Sequence, residues 1–223
     1  MIIYVDGSAL RPGDGTERSP FKTISEAAAK ALPGDEVLVA PGIYREAIDP
    51  RNAGTATKRI TYRSAQKGQA HITGSEPVKS WFHVEGNIWK ATIPNGVFSD
   101  YNPFTTLVSG DWFIASMIAH TGDVFLDEKS MYEVTDLEQV KNPLKSQTSW
   151  DPEFSLYTWY TEQDEEKDQT ILYANFQEKD PNRENVEISV RKNCFYPSSE
   201  GIGYITLSGF KISQAATQWA PPT

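Results

Sequence analysis

The sequence has few of the residues that build disulfide frameworks or metal centres. Among its 223 residues there is one cysteine, Cys194, so an internal disulfide cannot form. The three histidines, His71, His83 and His120, lie far apart and have no ligand spacing, which argues against a zinc site. We therefore predict no metal site and no cofactor.

Basic residues and long apolar runs are also scarce. Lysine and arginine number 21 against 30 aspartates and glutamates, which gives a net charge of −9. A nucleic-acid partner needs a basic face, so we expect none, and an anionic membrane surface is disfavoured for the same reason. Residues 1–7 indicate a short strand and a turn without a basic leader, so we predict no signal peptide, no membrane span and a cytoplasmic location.

Aromatic residues, glycine and proline are plentiful, which favours an all-β fold of short strands separated by turns. One helix is predicted. It begins at a capping box formed by Thr23 and Glu26 and ends at Pro33-Gly34. Its apolar stripe consists of Ile24, Ala27, Ala28, Ala31 and Leu32.

Both ends of the chain show the pattern of a parallel β-solenoid. Short apolar or alternating strands, separated by turns, are predicted at residues 36–40, 59–63, 70–74 and 203–212. Each coil of a solenoid covers the apolar face of the one before it, and an open last coil leaves strand edges in water. We therefore expect the end of this chain to be covered by further coils of the same protein or by a second chain, and a homo-oligomer is left open.

The middle of the chain has a different pattern. Alternating strands at residues 87–91, 123–126, 131–134, 156–160, 170–174 and 186–190 indicate an antiparallel β-sandwich. Residues 127–130 indicate a hairpin turn, and the acidic stretch 162–168 a solvated loop. The predicted organisation is a cap and first coils at 1–75, an inserted sandwich at 76–200, and a truncated resumption of the coils at 201–223.

These residues also carry a family resemblance. The start of the chain, with Tyr4-Val5-Asp6-Gly7 and Pro41-Gly42-Ile43-Tyr44, resembles the N-terminal cap and first coils of right-handed parallel β-helix enzymes that act on carbohydrates. The middle resembles glycoside hydrolase family 120, a family of β-xylosidases in which a β-sandwich interrupts the β-helix near its start. The motifs that carry this are Gly110-Asp111-Trp112, Gly122-Asp123-Val124-Phe125-Leu126, Tyr132-Glu133-Val134, Cys194-Phe195-Tyr196-Pro197 and Gln218-Trp219-Ala220-Pro221-Pro222.

The resemblance implies a retaining, exo-acting β-xylosidase that removes xylose from the non-reducing end of short xylo-oligosaccharides. That chemistry needs two carboxyl groups about 5 Å apart, one as nucleophile and one as acid/base. In the family, an aspartate and a glutamate on later coils of the β-helix fill these roles. No residue of this sequence matches either, so we assign no catalytic residue and expect this chain alone to be inactive.

One substrate-binding residue follows from the resemblance. The tryptophan of the Gly-Asp-Trp motif reaches over the sugar pocket in the family, and here it is Trp112, whose indole face suits the C–H face of a sugar ring. Asp111 and Trp219 are further candidates for contact with substrate. The competing interpretations are core packing for Trp112, a turn or supporting role for Asp111, and packing at a coil corner for Trp219.

Other interpretations stay open. Asp35 and Glu46 could be mistaken for a catalytic pair, but a turn carboxylate that bonds backbone amides and a salt-bridged residue at a coil edge explain them better. A β-helix polysaccharide lyase would need calcium, an acidic cluster and a basic residue, a constellation that we do not find. A non-catalytic carbohydrate-binding or interaction module would suit a chain without the catalytic coils. An unsaturated product would indicate a lyase, and titration with xylose or xylobiose would separate binding from catalysis.

Overall fold

The computed structural model describes residues 1–110 and 118–218, whose regular secondary structure is mainly β-strand, as predicted. In chain order the strands are β1 (Ile2–Val5), β2 (Glu36–Val39), β3 (Gly42–Tyr44), β4 (Ile60–Ser64), β5 (Ala70–Thr73), β6 (Ser75–Pro77), β7 (Phe82–Glu85), β8 (Ile88–Pro94), β9 (Val124–Leu126), β10 (Lys129–Ser130), β11 (Tyr132–Glu133), β12 (Thr158–Asp164), β13 (Gln169–Asn175), β14 (Val186–Ser189), β15 (Ile205–Ser208) and β16 (Lys211–Ser213). The α-helices are α1 (Ile24–Ala28) and α2 (Leu137–Lys141), and single 3₁₀ turns lie at Asn95–Phe98 and Phe154–Leu156.

The chain divides into two compact units. Met1–Gly74 and Arg191–Ala215 form the first, which we call the parallel-sheet unit. Ser75–Val190 and residues 216–218 form the second, which we call the inserted unit. Within the described ranges the α-helices have five residues each, and neither is long and apolar enough to cross a membrane.

The predicted capping box at the start of α1 is confirmed. The Thr23 hydroxyl accepts a hydrogen bond from the amide of Glu26, and the Glu26 carboxylate accepts one from the amide of Thr23. Ile24, Ala27 and Ala28 are buried as expected. The prediction for Leu32 was wrong, because the helix ends at Ala28 and the Leu32 side chain is 55 % exposed beyond it.

The parallel-sheet unit contains two sheets whose strands all pair in parallel. One has the strand order β1-β2-β4-β15 and the other β16-β5-β3. The registers keep apolar positions in line, since Val37 pairs with Tyr62 and Tyr62 with Leu207. Val37 and Tyr62 are buried, whereas Leu207 on the edge strand β15 is 37 % exposed. Consecutive strands therefore stack side chains of like character, which is the usual source of stability in repeating parallel folds.

Gly74 marks a close approach between segments of this unit. A Cβ atom at this position would lie 2.6 Å from the Cα of Ala215 and 2.7 Å from the carbonyl oxygen of Gln214. Because real Cβ atoms do not come so close to backbone, a residue with a side chain would separate the two segments.

The inserted unit contains two sheets that share one apolar core. One sheet has the order β10-β9-β14-β6 and the other β11-β12-β13-β8-β7. The core between them includes Phe104, Val124, Trp159, Leu172 and Ile188, all at most 1 % exposed. Pairing is antiparallel except between β11 and β12. The predicted acidic loop is shorter than expected, because β12 continues to Asp164 and β13 begins at Gln169.

The predicted hairpin turn after β9 is present, and the chain passes from one sheet to the other soon after it. Asp127 and Glu128 both have positive φ values, 52° and 67°, as a two-residue turn between antiparallel strands requires. β10 then pairs back with β9, but β11 leaves for the other sheet and runs parallel to β12. This crossing places Ser130 and Glu133 on successive strands of different sheets.

The boundaries of the two units differ from those predicted from the sequence. The insert was predicted to end at residue 200, whereas Arg191–Ala215 belong to the parallel-sheet unit. The amide of Arg191 donates to the carbonyl of Gly74, and the amide of Ile48 to that of Cys194. Cys194 is buried. Residues 216–218, which the sequence analysis assigned to the resumed coils, belong to the inserted unit.

Candidate functional site

The predicted substrate-binding residues belong to two short segments of the chain. Asp111 and Trp112 fall in residues 111–117, and Trp219 falls in residues 219–223, so all three lie outside the described residues. What the structure does describe is the chain on both sides of the first segment and the chain that leads into the second.

Residues 106–110 and 118–121 form two antiparallel legs, which we call the hairpin legs, and residues 111–117 connect them in the sequence. The amide of Val108 donates to the carbonyl of Ala119 over 2.8 Å. The amide of Thr121 donates to the carbonyl of Thr106 over 2.8 Å, and Leu107 pairs with His120 between these bonds. The legs are therefore held together by ordinary β-ladder hydrogen bonds.

The base of the hairpin is fixed to the core of the inserted unit. The amide of Gly122 donates to the carbonyl of Pro103 over 3.0 Å. A Cβ atom at Gly122 would lie 2.9 Å from the ring of Phe104, which is itself buried. The Asn102 carboxamide accepts from the amide of Phe104 over 2.9 Å. The two legs thus emerge from a tightly packed layer at which glycine leaves room for an aromatic ring.

The segment that leads to Trp219 contacts the first leg directly and the second leg through Tyr101. The amide of Ser109 on the first leg donates to Oε1 of Gln218 over 2.9 Å. The hydroxyl of Tyr101 donates to the carbonyl of Ala216 over 2.6 Å and lies 2.7 Å from Oγ1 of Thr121 on the second leg. The residues that flank the predicted sites are therefore in direct contact, although 109 positions separate Ser109 from Gln218.

The second leg is also held by a carboxylate. Nδ1 of His120 lies 2.5 Å from Oε1 of Glu133, and the amide of His120 donates to Oε2 of the same residue over 2.9 Å. The side chains are 19 % and 14 % exposed, respectively, so solvent screens this pair less than it screens a surface ion pair. Glu133, on β11, therefore binds His120 through its ring and through its backbone at once.

A second carboxylate lies three residues after His120. Asp123 accepts hydrogen bonds from the Ser130 hydroxyl and from the amide of Val124. The pKa of Asp123 is raised to about 7, chiefly by burial and to a smaller extent by the Glu133 carboxylate, while the hydrogen bonds from Ser130 and Val124 act to lower it. The Trp159 indole N–H is close enough to lower the pKa, although it does not meet the geometry of a hydrogen bond.

No role was predicted for Asp123 or Glu133, and His120 was considered as a metal ligand, which its spacing argued against. The only available signal was a charged residue inside each of the motifs Gly122–Leu126 and Tyr132–Val134, which are otherwise mostly apolar. The pairing of β11 with β12 that brings Glu133 to His120 has no local signature. Within residues 1–110 and 118–218, no group of three or more histidine, cysteine, aspartate or glutamate side chains is arranged to hold a metal ion.

Asp35 and Glu46 have local structural partners in the parallel-sheet unit. Asp35 accepts from the amide of Leu32 over 2.9 Å and from the N-terminal ammonium group of Met1 over 2.9 Å, in the turn that was predicted. Glu46 was expected to be a salt-bridged residue. Its carboxylate caps α1 through the amide of Ile24 and the amide and hydroxyl of Ser25.

Comparisons with known proteins place these units in context. Residues 78–188 match the family model described as the insertion domain of glycoside hydrolase 120. Residues 6–87 match a model described as a protein of unknown function, DUF1565. An uncharacterized protein of Bacillus subtilis (strain 168), YwoF, is 33 % identical over 72 residues, which is 32 % of this chain and 15 % of that protein.

Two solved structures are similar to this chain. The complex of XylC with xylose matches all of the chain with a TM-score of 0.92 and 42 % identity. A second structure, described only as a glycoside hydrolase, matches 96 % of this chain and 50 % of its own with a TM-score of 0.56 and 11 % identity, a likeness of fold alone. The chain spans 37 % of the XylC chain. The insertion domain and the match to XylC over the entire chain show that the chain belongs to glycoside hydrolase family 120.

Proposed function

We propose that this chain is the N-terminal part of a retaining, exo-acting β-xylosidase that hydrolyses short xylo-oligosaccharides from the non-reducing end. Two findings support this. The chain carries the insertion domain of family 120, and it matches throughout its length a protein whose structure was solved with xylose. The two carboxyl groups of the reaction would belong to residues beyond position 223.

The hydrogen bond between Ser109 and Gln218 is the observation that carries the proposal for the substrate site. Trp112 follows Ser109 by three residues, and Trp219 follows Gln218 directly. Side chains so close in sequence to a shared contact can line one wall of a pocket. We therefore propose Trp112, Asp111 and Trp219 as substrate-binding residues of a single site, with Trp112 as the main contact.

The chemistry assigned to this wall is binding and orientation. An indole face packs against the C–H groups of a pyranose ring, while polar groups bond the sugar hydroxyls and fix its orientation. A retaining hydrolase then needs one carboxylate to attack the anomeric carbon and one carboxylic acid to protonate the leaving oxygen. The acid must keep a raised pKa to hold its proton near neutral pH. In the proposed enzyme the inserted unit binds the sugar, and residues of the later coils cleave the glycosidic bond.

The proposed architecture is the beginning of a right-handed parallel β-helix, interrupted by an antiparallel β-sandwich. The parallel order of β1, β2, β4 and β15 and that of β3, β5 and β16 support it. β15 and β16 occupy one edge of each sheet, and Leu207 and Ile212 on them are 37 % and 47 % exposed. The partner proposed for these edges is the next coil of the same protein.

Expression of the whole reading frame that encodes this chain, beside residues 1–223 alone, tests the proposed function. We expect the whole protein to hydrolyse a nitrophenyl β-xyloside with β-xylose as the first product, as NMR of the fresh reaction would show, and residues 1–223 to be inactive. Release of α-xylose first would refute retention. An unsaturated, ultraviolet-absorbing product would indicate a lyase, and xylobiose binding without turnover a carbohydrate-binding module.

A further inference from the structure

We propose that Glu133 is a positioning residue for sugar binding, because it holds the second hairpin leg through His120. This inference rests on the proposed function, in which Trp112 is a substrate-binding residue. The role assigned to Glu133 is exerted through His120, whose ring and backbone amide its carboxylate binds.

The contacts of Glu133 differ from those of an ordinary surface ion pair. One carboxylate oxygen lies 2.5 Å from Nδ1 of His120, and the other accepts the backbone amide of His120 over 2.9 Å. A bond to a side chain alone leaves the backbone free to shift, whereas a simultaneous bond to the amide fixes the main chain. The carboxylate therefore sets the position of the leg at His120, where the ladder to Leu107 also forms.

Glu133 is itself held in place by the core of the inserted unit. Glu133 is the last residue of β11, and its backbone pairs with Trp159, the largest side chain of the core. The amide of the next residue, Val134, donates to the carbonyl of Trp159 over 2.9 Å. The leg is thus connected to the centre of the inserted unit by two strands and one carboxylate.

The charged and polar groups around this contact belong to three elements. His120 comes from the second leg, Asp123 from the stretch before β9, and Ser130 from β10, where its hydroxyl is bonded to Asp123. Asp123 and Glu133 repel each other when both are ionised, which is one cause of the raised pKa of Asp123. His120 therefore gives Glu133 a favourable partner in a region that otherwise disfavours a second negative charge.

A positioning role predicts a specific kinetic change. A shift of about 1 Å in a binding group can cost up to about a hundredfold in rate or affinity, even when the shifted residue lies far from the reacting atoms. Since the carboxyl groups that cleave the bond lie elsewhere in the proposed enzyme, loss of the Glu133 contact should weaken binding and leave the chemical step nearly unchanged.

Three variants of the whole protein test this. Glu133→Ala removes both contacts, Glu133→Gln keeps one oxygen that can accept the His120 amide, and Glu85→Gln is a control that alters an ion pair with Lys141 in the same unit. We expect Glu133→Ala to raise KM for a nitrophenyl xyloside by about tenfold, with kcat within about twofold. Glu133→Gln should restore most of the loss, and Glu85→Gln should behave as wild type.

Hydrogen exchange provides a local readout that does not depend on activity. In Glu133→Ala the amides of Val108 and Thr121 should exchange faster, whereas those of β8 and β13 should not change. A folded Glu133→Ala protein with wild-type KM would overturn the inference. A fall in kcat, a rise in KM and faster amide exchange in all strands together would also overturn it, because that pattern indicates a general loss of stability. Absence of xyloside hydrolysis in the wild-type protein would instead refute the proposed function, and exchange would still test the hold on the leg.

Discussion

The backbone amide of Ser109 donates a 2.9 Å hydrogen bond to the side-chain oxygen of Gln218. This bond joins the first hairpin leg to the segment that precedes Trp219, across 109 positions of sequence. It is a contact within the inserted unit, and it connects the two places where the sequence suggests sugar-binding aromatic residues.

Removal of that bond should affect binding more than stability. In Gln218→Ala the Ser109 amide loses its partner, but it is exposed enough for water to replace it, so the change in unfolding free energy should stay below about 1 kcal/mol. We expect KM for a xyloside to rise several-fold, measured in the whole protein. The conservative variant Gln218→Glu keeps an acceptor oxygen and should retain near wild-type KM. Equal kinetics for all three proteins would show that the contact does not support the site.

The hydroxyl of Tyr101 should contribute to stability. It bonds the carbonyl of Ala216 and the hydroxyl of Thr121, so Tyr101→Phe leaves two polar groups without this partner. We expect a loss of about 1–2 kcal/mol, measured by denaturant unfolding. Tyr196→Phe is the matched control, because this tyrosine is 61 % exposed, and it should have little effect. A stability of Tyr101→Phe equal to that of wild type would contradict the assignment.

Gly122 should tolerate no side chain. In Gly122→Ala the added methyl group would meet the buried ring of Phe104 at 2.9 Å, and repacking should cost about 1–3 kcal/mol. Gly96→Ala serves as the control, since a Cβ atom there meets nothing within 4 Å, and it should be close to neutral. Thermal unfolding of both variants separates them. A Gly122→Ala protein as stable as Gly96→Ala would mean that the base of the hairpin is less tightly packed than described.

Asp123 should make stability depend on pH. Its pKa is about 7 in the folded protein, against 3.8 for an unperturbed aspartate, so the folded state binds a proton more tightly than the unfolded state. The resulting stability is fully present below about pH 4 and is lost as pH rises through about 7. One pKa unit corresponds to about 1.4 kcal/mol, and partial exposure to solvent reduces the total, so we expect a loss of about 2 kcal/mol.

Asp123→Asn removes this titration and tests it. The variant should gain stability relative to wild type as pH rises from 5 to 8, as followed by Tm at each pH. Asp164→Asn is a suitable control, since hydrogen bonds with Lys167 hold the pKa of Asp164 below its usual value and its titration lies outside this range. A constant difference in Tm between Asp123→Asn and wild type from pH 5 to 8 would refute the assignment.

Local patterns in the sequence predicted the elements better than the connections between them. The Thr23–Glu26 capping box, the strands β8, β9 and β13, and the Asp127-Glu128 turn each have a short-range cause and are present. The exposed position of Leu32 was missed, because helical periodicity continues past the point at which α1 ends. The role of Glu133 could not be predicted, since it depends on β11 pairing with β12 in the opposite sheet, and that of Asp123 depends on burial that arises only when the unit is packed.

In the proposed substrate site, too, local features can be predicted from the sequence and long-range contacts cannot. The Gly110-Asp111-Trp112 motif can be recognised as a family feature, but the contacts of Ser109 with Gln218 and of Tyr101 with Ala216 arise only when distant segments meet. Long-range hydrogen bonds of this kind have no periodicity or local propensity in the sequence.

The most direct test of the account is the KM of Trp112→Ala in the whole protein, measured with a nitrophenyl xyloside and with xylobiose. Loss of an indole face that packs on a sugar ring should raise KM by about tenfold or more, with Tm and kcat close to wild type. Trp112→Phe should recover part of the loss, because a smaller aromatic face remains. Wild-type KM in a folded Trp112→Ala protein would contradict the claim that the inserted unit forms a wall of the sugar site.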